Sequence, residues 1–180
     1  MKINYDDYVD LIKVKDNEAF KILYENTKKG VFSIIISIVK SKAVTEDLMQ
    51  DTYIKMIEKI HQYRKGRNFY AWLLQIAKNT ALDHYRKYKN EINYDPIEQS
   101  YIHSHLSTKE KTYDVLDLVK PLDEIEKQIV LLRAVDDVKF KDIAIIVNKP
   151  LGTVLWLYNK GIKTLKEYLE TEVEKWKNLI

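Results

Sequence analysis

Residues 140 to 154 read Phe140-Lys141-Asp142-Ile143-Ala144-Ile145-Ile146-Val147-Asn148-Lys149-Pro150-Leu151-Gly152-Thr153-Val154. Phe140, Ile143, Ala144 and Val147 share one face at helical spacing, and Ala144 is small where two helices must cross closely. Asn148, Lys149 and Pro150 end that helix and start another, in which Val154, Tyr158, Gly161 and Leu165 follow at intervals of four, three and four as a second buried stripe. Two helices joined by so tight a turn, the second opening on the polar pair Gly152-Thr153, match a helix-turn-helix, which lays its second helix in the major groove of DNA. On these residues alone a plain helical hairpin is the alternative. Asn159, Lys160 and Lys163 are conventional contacts, whereas Leu155, Trp156 and Leu157 stand where a DNA reader usually offers cations or hydrogen-bonding groups. Apolar side chains can touch a thymine methyl but neutralise no phosphate. Packing of Trp156 and Leu157 on a neighbouring helix or a protein partner is the competing reading.

Working outward, most of the chain shows the same periodicity, punctuated by only four glycines and three prolines, and the expectation is an all-α protein of two small helical domains. Asp16 is placed to cap a helix through Phe20, Leu23 and Tyr24, and Thr45, backed by Glu46 and Asp47, marks the start of the next. Leu48, Tyr53, Met56, Ile57 and Ile60 continue that helix until Tyr63-Arg64-Lys65-Gly66-Arg67 breaks it. A further helix is expected from Asn68 to Tyr88. Between Asn90 and Thr112 no apolar face is sustained, and this stretch reads as a linker. After a short helix near Tyr113 to Val119, Pro121 is expected at a first helical position, with Leu122, Ile125, Ile129 and Leu132 as the inward stripe. The resulting division is 1–89, 90–112 and 113–180.

Nearly half of the 180 residues are apolar, which excludes disorder throughout. The absence of cysteine removes disulfides, thiolate nucleophiles and thiolate zinc sites together. The acidic start, Met1 to Asp7, does not read as a secretory signal, and the apolar run from Val31 to Val39 is too short to span a bilayer and is broken by Ser33 and Ser37. A soluble, cytoplasmic protein without membrane insertion is expected. The net charge of +3 conceals a strong asymmetry. From Lys59 to Lys89 eight basic residues face one acid, Asp83, and from Glu91 to Glu126 nine acids face three lysines.

The basic block interleaves Tyr63, Phe69, Tyr70 and Trp72 with Arg64, Lys65, Arg67, Lys78, Arg86 and Lys87. Cations alone suit duplex DNA or solvent; interleaved aromatics suit a single strand, because unstacked bases recover about 1–3 kcal/mol each on an aromatic surface. Trp72, in line with Leu73, Ile76 and Leu82, reads as core. Tyr63, Phe69 and Tyr70, beside the Gly-containing turn, are expected to meet nucleic acid.

These residues resemble sigma factors of the sigma-70 family, in the small extracytoplasmic-function (ECF) form with two main domains. Glu46-Asp47-Leu48-Met49-Gln50-Asp51, followed by Tyr53-Ile54-Lys55-Met56-Ile57, resembles the region 2 helix that grips the polymerase clamp. The resemblance implies that Asp47, Gln50, Asp51, Ile54 and Ile57 dock on core RNA polymerase. Ala71 to Arg86 resembles the part of region 2 that recognises and opens the minus-ten element. With the preceding turn it implies minus-ten contacts at Tyr63, Arg64, Lys65, Arg67, Asn68, Phe69, Tyr70, Lys78, Asn79, Asp83 and Arg86. Pro150 to Val154 resembles the entry to the region 4 recognition helix, implying minus-thirty-five contacts at Leu151, Thr153, Leu155, Trp156, Asn159, Lys160 and Lys163. The family commonly carries basic or small polar residues at the positions of Leu155, Trp156 and Leu157, and alanine at that of Gly161. The acidic linker would thread into the polymerase near the RNA path, or serve as a solvated tether.

The function implied is that of a factor binding core polymerase and directing promoter recognition, melting and initiation, with promoter DNA and an anti-sigma factor as further partners and no cofactor. A helix-turn-helix regulator acting without polymerase is the alternative. It would need dimerisation or another duplex anchor, and no sustained heptad is visible. An enzyme is not expected: His103-Ser104-His105 is the only tempting metal cluster, two ligands in a linker with no completing set.

Overall fold

Helix α2, Asn17–Val39, contains the most apolar stretch of the chain, and from Gly30 to Ile38 every residue except the half-buried Phe32 is buried. A helix apolar on all sides is stable in water only when covered on all sides. A computed structural model, which describes residues 3–92 and 118–177, supplies that cover with α1 (Asp6–Lys13), α3 (Lys42–Lys59) and α4 (Phe69–Ile92), all packed on α2. Leu23, Ile34 and Ile35 of α2 meet Val9, Met56, Ile60, Leu73 and Leu74 in the core of this unit. Three hydroxyls buried here are bonded. Ser37 Oγ donates to the Ile34 carbonyl at 2.7 Å and Thr27 Oγ1 to that of Leu23 at 2.8 Å. The Thr27 proton being committed, Tyr53 donates its own across 2.8 Å to Thr27 Oγ1, and burial raises the Tyr53 phenol above its ordinary pKa, keeping that proton in place.

The helix boundaries follow local capping chemistry. Asp16 caps α2 as expected, accepting the Ala19 N–H at 2.8 Å. The start expected at Thr45 falls earlier: Lys40 turns left-handed at φ 58°, Ser41 becomes the extended cap, and α3 begins at Lys42. Thr45 lies buried inside the helix, donating its hydroxyl to the Ser41 carbonyl at 2.7 Å. A short 3-10 turn, Ile60–Gln62, ends α3 before the expected break. Asn68 Oδ1 accepts the Ala71 N–H at 3.0 Å to open α4, which runs to Ile92, beyond the expected end at Tyr88.

A second unit is built from α5 (Glu124–Ala134), α6 (Phe140–Val147) and α7 (Leu151–Lys177). Pro121 is not the first helical residue. It sits in a turn in which the Leu122 N–H donates to the Val119 carbonyl at 3.0 Å, and α5 starts at the reciprocal capping box of Asp123 and Glu126. Leu122, Ile129 and Leu132 are buried and Ile125 half-buried, the inward stripe expected. Asn148 ends α6 in the left-handed conformation (φ 54°, ψ 53°), and α7 begins three residues on. The described residues are helices and their connections, with no strand among them, and none of their helices is long and apolar enough to cross a membrane. The first three residues of the expected linker, 90–92, belong to α4, and its remainder, most of the short helix near 113–119, and His103 and His105 lie outside the described residues.

Gly161 explains the departure from alanine. A Cβ there would stand 3.2 Å from Val130 Cγ2 and 3.6 Å from Leu122 Cδ2, so α5 and α7 approach closely at this point. Alanine would gain about 1 kcal/mol of helix propensity against that crowding, and a branched side chain would meet the β-branched Val130 with no room to move. Gly161→Val is therefore expected to destabilise the second unit by about 1–3 kcal/mol through overpacking. Denaturant unfolding with amide exchange read on residues 124–147 measures it, and wild-type protection would contradict the close approach.

Candidate functional site

Helix α3 has two chemically distinct faces. Thr45, Leu48, Thr52, Tyr53 and Met56 are buried, while Asp47, Gln50, Asp51, Ile54 and Ile57 are exposed at spacings of three and four and form one solvent-facing stripe. Ile54 is 55% exposed and Ile57 38%. The structure thus brings the five residues expected to dock on polymerase onto a single surface, acidic toward one end and apolar toward the other.

The chain leaving α3 forms the basic turn. Arg64, Lys65, Gly66 and Arg67 are exposed, and the Arg67 N–H closes the turn onto the Arg64 carbonyl at 3.3 Å. The aromatics behave differently from expectation. Tyr63 and Phe69 are 5% and 2% exposed, and with Trp72 they form a three-ring cluster whose centroids lie 5.2–5.5 Å apart. Their faces are covered by one another, so a base cannot stack on them, and their expected role as stacking platforms is corrected to that of a floor beneath the turn. Tyr70 is half-buried and lies nearly parallel to Tyr5 at 6.0 Å between centroids. Asn68, exposed, uses its side-chain oxygen on the α4 cap. Along α4, Asn79, Asp83 and Arg86 are exposed on one face with Lys78 half-buried beside them. The Asp83–Arg86 pair, 3.8 Å apart and exposed at both ends, is readily exchanged for a phosphate.

Sequence reasoning missed two residues of α1. Asp6 accepts hydrogen bonds from the Gly66 N–H at 2.6 Å and the Tyr63 hydroxyl at 2.8 Å, and Asp10 pairs with Lys65. Burial first, and the Asp6 carboxylate second, raise the Tyr63 phenol above its ordinary pKa; the Lys65 hydrogen bond lowers that of Asp10. No periodicity links α1 to a turn 57 residues away, and its acids had served only to argue against a leader.

In the second unit, Leu151, Leu155, Trp156, Asn159 and Lys163 are exposed on α7, with Thr153 half-buried at its entry. Trp156 is 61% exposed. Leu157 is buried, one turn from Val154 and Gly161, so the apolar outer face reduces to Leu155 and Trp156. Lys160, expected to meet DNA, is exposed but engaged by acids at the start of α5. Its ammonium lies 2.7 Å from Glu126 Oε1 and 3.5 Å from Asp123 Oδ2, with the Trp156 ring centroid 5.8 Å away. The close Glu126 carboxylate is the main cause raising its pKa. Glu126 is almost fully buried, and its other oxygen accepts the Asp123 N–H at 3.2 Å, so Lys160 compensates a carboxylate that water does not reach.

Residues 23–91 match the family model for sigma-70 region 2. The ECF RNA polymerase sigma factor SigX of Bacillus subtilis is 23% identical over 166 residues, covering 85% of this chain and 84% of the relative. The ECF RNA polymerase sigma-E factor of Haemophilus influenzae is 26% identical over 181 residues, covering 92% and 93%. Among solved structures, the sigma factor RpoE of Bartonella quintana, co-crystallised with the anti-sigma factor NepR, shares the fold with a TM-score of 0.67 at 21% identity, over 84% of this chain and 96% of that one. Residues 23–91 are thus matched as a sigma-70 region 2, and over most of its length the chain is similar to sigma factors of the ECF branch.

Two outcomes follow from this geometry. Lys160→Met should lower the unfolding midpoint of the second unit while Lys163→Met leaves it unchanged, since only Lys160 faces a buried carboxylate; equal midpoints in thermal denaturation would show Lys160 to be an ordinary surface cation. Phe69→Ala should cost about 3–5 kcal/mol of stability as a buried aromatic truncation, and Tyr70→Ala should cost less while weakening open-complex formation. A stable Phe69→Ala protein defective only in DNA opening would restore the ring to the contact surface.

Proposed function

We propose that this protein binds core RNA polymerase through helix α3 and directs it to promoters, supporting recognition, melting and initiation of transcription. The observation that carries this reading is the exposed stripe of Asp47, Gln50, Asp51, Ile54 and Ile57 on a helix whose opposite face is locked in the core. Two isoleucines exposed beside acids have no role in the isolated unit, and such a patch is what a protein partner covers. The same helix leads directly into the basic turn, so a polymerase gripping α3 would hold Arg64 and Arg67 close to the DNA it is opening.

On this reading Arg64, Arg67, Tyr70, Asn79 and Arg86 follow the minus-ten strand, with Asp83 and Lys78 at the edge of that surface. Leu151, Thr153, Leu155, Trp156, Asn159 and Lys163 face the minus-thirty-five duplex. Their low cation content leaves upstream affinity resting on few phosphate contacts and on apolar ones, a surface suited to thymine methyls. Residues 1–89 and 113–180 are the two working parts and 90–112 the acidic tether between them. The chain performs no chemistry of its own, the polymerase supplying it, and acts in the cytoplasm. An anti-sigma factor is a further partner this fold accommodates, as the Bartonella quintana relative was solved with one.

Asp47→Lys combined with Asp51→Lys should abolish copurification with core polymerase while leaving helix content unchanged, since both positions are exposed. Undiminished copurification of the charge-reversed protein would reject α3 as the docking surface.

A further inference from the structure

The basic turn is held in place from outside every motif that suggested its role. Gly66 has φ 82°, a conformation L side chains rarely adopt, and nothing lies within 4 Å of where its Cβ would stand. Backbone geometry rather than crowding therefore requires glycine there. That conformation presents the Gly66 N–H to Asp6 Oδ2 at 2.6 Å, while the single proton of the Tyr63 hydroxyl is shared between Asp6 Oδ1 at 2.8 Å and the Arg67 carbonyl. One carboxylate thus ties the start of the turn to its far side, with Arg64 and Lys65 between the two tied points and Arg67 following them. Tyr5, adjacent in sequence, lies against Phe69 and Tyr70 with ring centroids 5.7 and 6.0 Å away, setting α1 against the floor of the same turn.

The neighbouring Lys65–Asp10 pair is exposed at both ends, by 45% and 63%, and solvent and salt screen such pairs to a small contribution. Asp6 is different, because its two acceptors bind a backbone amide and a hydroxyl on a buried ring. A carboxylate beside cations that must meet phosphates also opposes DNA binding by simple charge repulsion. Its two effects consequently have opposite signs, and an experiment can tell them apart.

We propose that Asp6 is a positioning residue for strand recognition: by tying Gly66 and Tyr63 it fixes the course of the turn that presents Arg64 and Arg67, without itself touching DNA. The tie is a property of the free protein, and its consequence for recognition rests on the assignment of the turn to the minus-ten strand made above. Removing an acid that is only a bystander would strengthen DNA binding at every sequence alike. Removing an acid that shapes the reading loop lowers discrimination among sequences.

The test uses the full chain as wild type, Asp6→Ala, Asp6→Asn and Tyr63→Phe, the last keeping the buried ring and losing the hydroxyl that Asp6 and the Arg67 carbonyl share. Amide exchange of Gly66 by NMR reads the tie, and transcription by reconstituted polymerase from promoters randomised across the minus-ten element reads its consequence. Asp6→Ala should accelerate Gly66 exchange and reduce minus-ten base discrimination about five- to tenfold, at the lower end of what one base contact supplies, with minus-thirty-five preference and core-polymerase affinity unchanged. Asp6→Asn and Tyr63→Phe should shift both readouts in the same direction by less, and Asp6→Asn decides the matter if Asp6→Ala does not fold. Equal Gly66 exchange in all four proteins, or faster exchange with unaltered base preference, would overturn the proposal. If the wild type directs no transcription at all, the functional reading fails, and Gly66 exchange still decides whether Asp6 ties the turn.

Discussion

Covering α2 is the constraint on which the first unit depends. Nine consecutive residues, Gly30 to Ile38, are apolar or small, and all but Phe32 are buried. Burying an aliphatic side chain of this size contributes about 1.5–3 kcal/mol, and the contribution is available only if other helices surround α2. Helices α1, α3 and α4 do so, each committing one face. Their remaining faces are left to solvent, and the surfaces proposed for polymerase and DNA lie there: the α3 stripe and the Asn79–Arg86 face of α4, with the acids of α1 beside the basic turn. The same packing sets Tyr63, Phe69 and Trp72 together as a floor and lifts the cations of the basic turn above it.

In each unit one lysine expected on DNA is engaged by acids from another helix, Lys65 by Asp10 and Lys160 by Glu126 and Asp123. The two cases differ physically. Lys65–Asp10 is a screened surface pair that a phosphate can replace, whereas Glu126 is buried and cannot lose its partner without being left uncompensated. A factor that works bound to a polymerase does not need every basic side chain on DNA, since part of its hold on the promoter comes through the enzyme. A lone duplex reader would need more phosphate contacts than α7 offers.

The all-helical class, the helix-turn-helix and the α3 stripe were legible because each rests on periodicity within a single helix. Leu122, Ile129, Leu132, Val154 and Tyr158 could be placed from spacing alone. The errors arose where neighbours far apart in sequence decide the outcome. Tyr63 and Phe69 sit among cations in the chain but among rings in space, and composition does not distinguish a stacking platform from a floor. For Leu157, beside Trp156, the spacing left an outward and a packed placement open; it is internal by a rotation of 100° on the helix, the step from one residue to the next. Asp6 left no trace in the pattern, because a carboxylate tying a turn 60 residues away needs only to be in the right place. Thr45 and Pro121 were plausible starts overruled by stronger local ones, Ser41 after a left-handed Lys40 and the Asp123–Glu126 box.

The central claim is that this protein gives a core polymerase a choice of promoter, and one measurement addresses it directly. Core RNA polymerase is supplied with a pool of fully random duplex templates, with and without the protein, and the transcripts are sequenced. The account predicts start sites that appear only with the protein and share two upstream elements at a fixed separation, one for each unit. Identical transcript populations in both reactions, with a polymerase shown to be competent by another initiation factor, would contradict it.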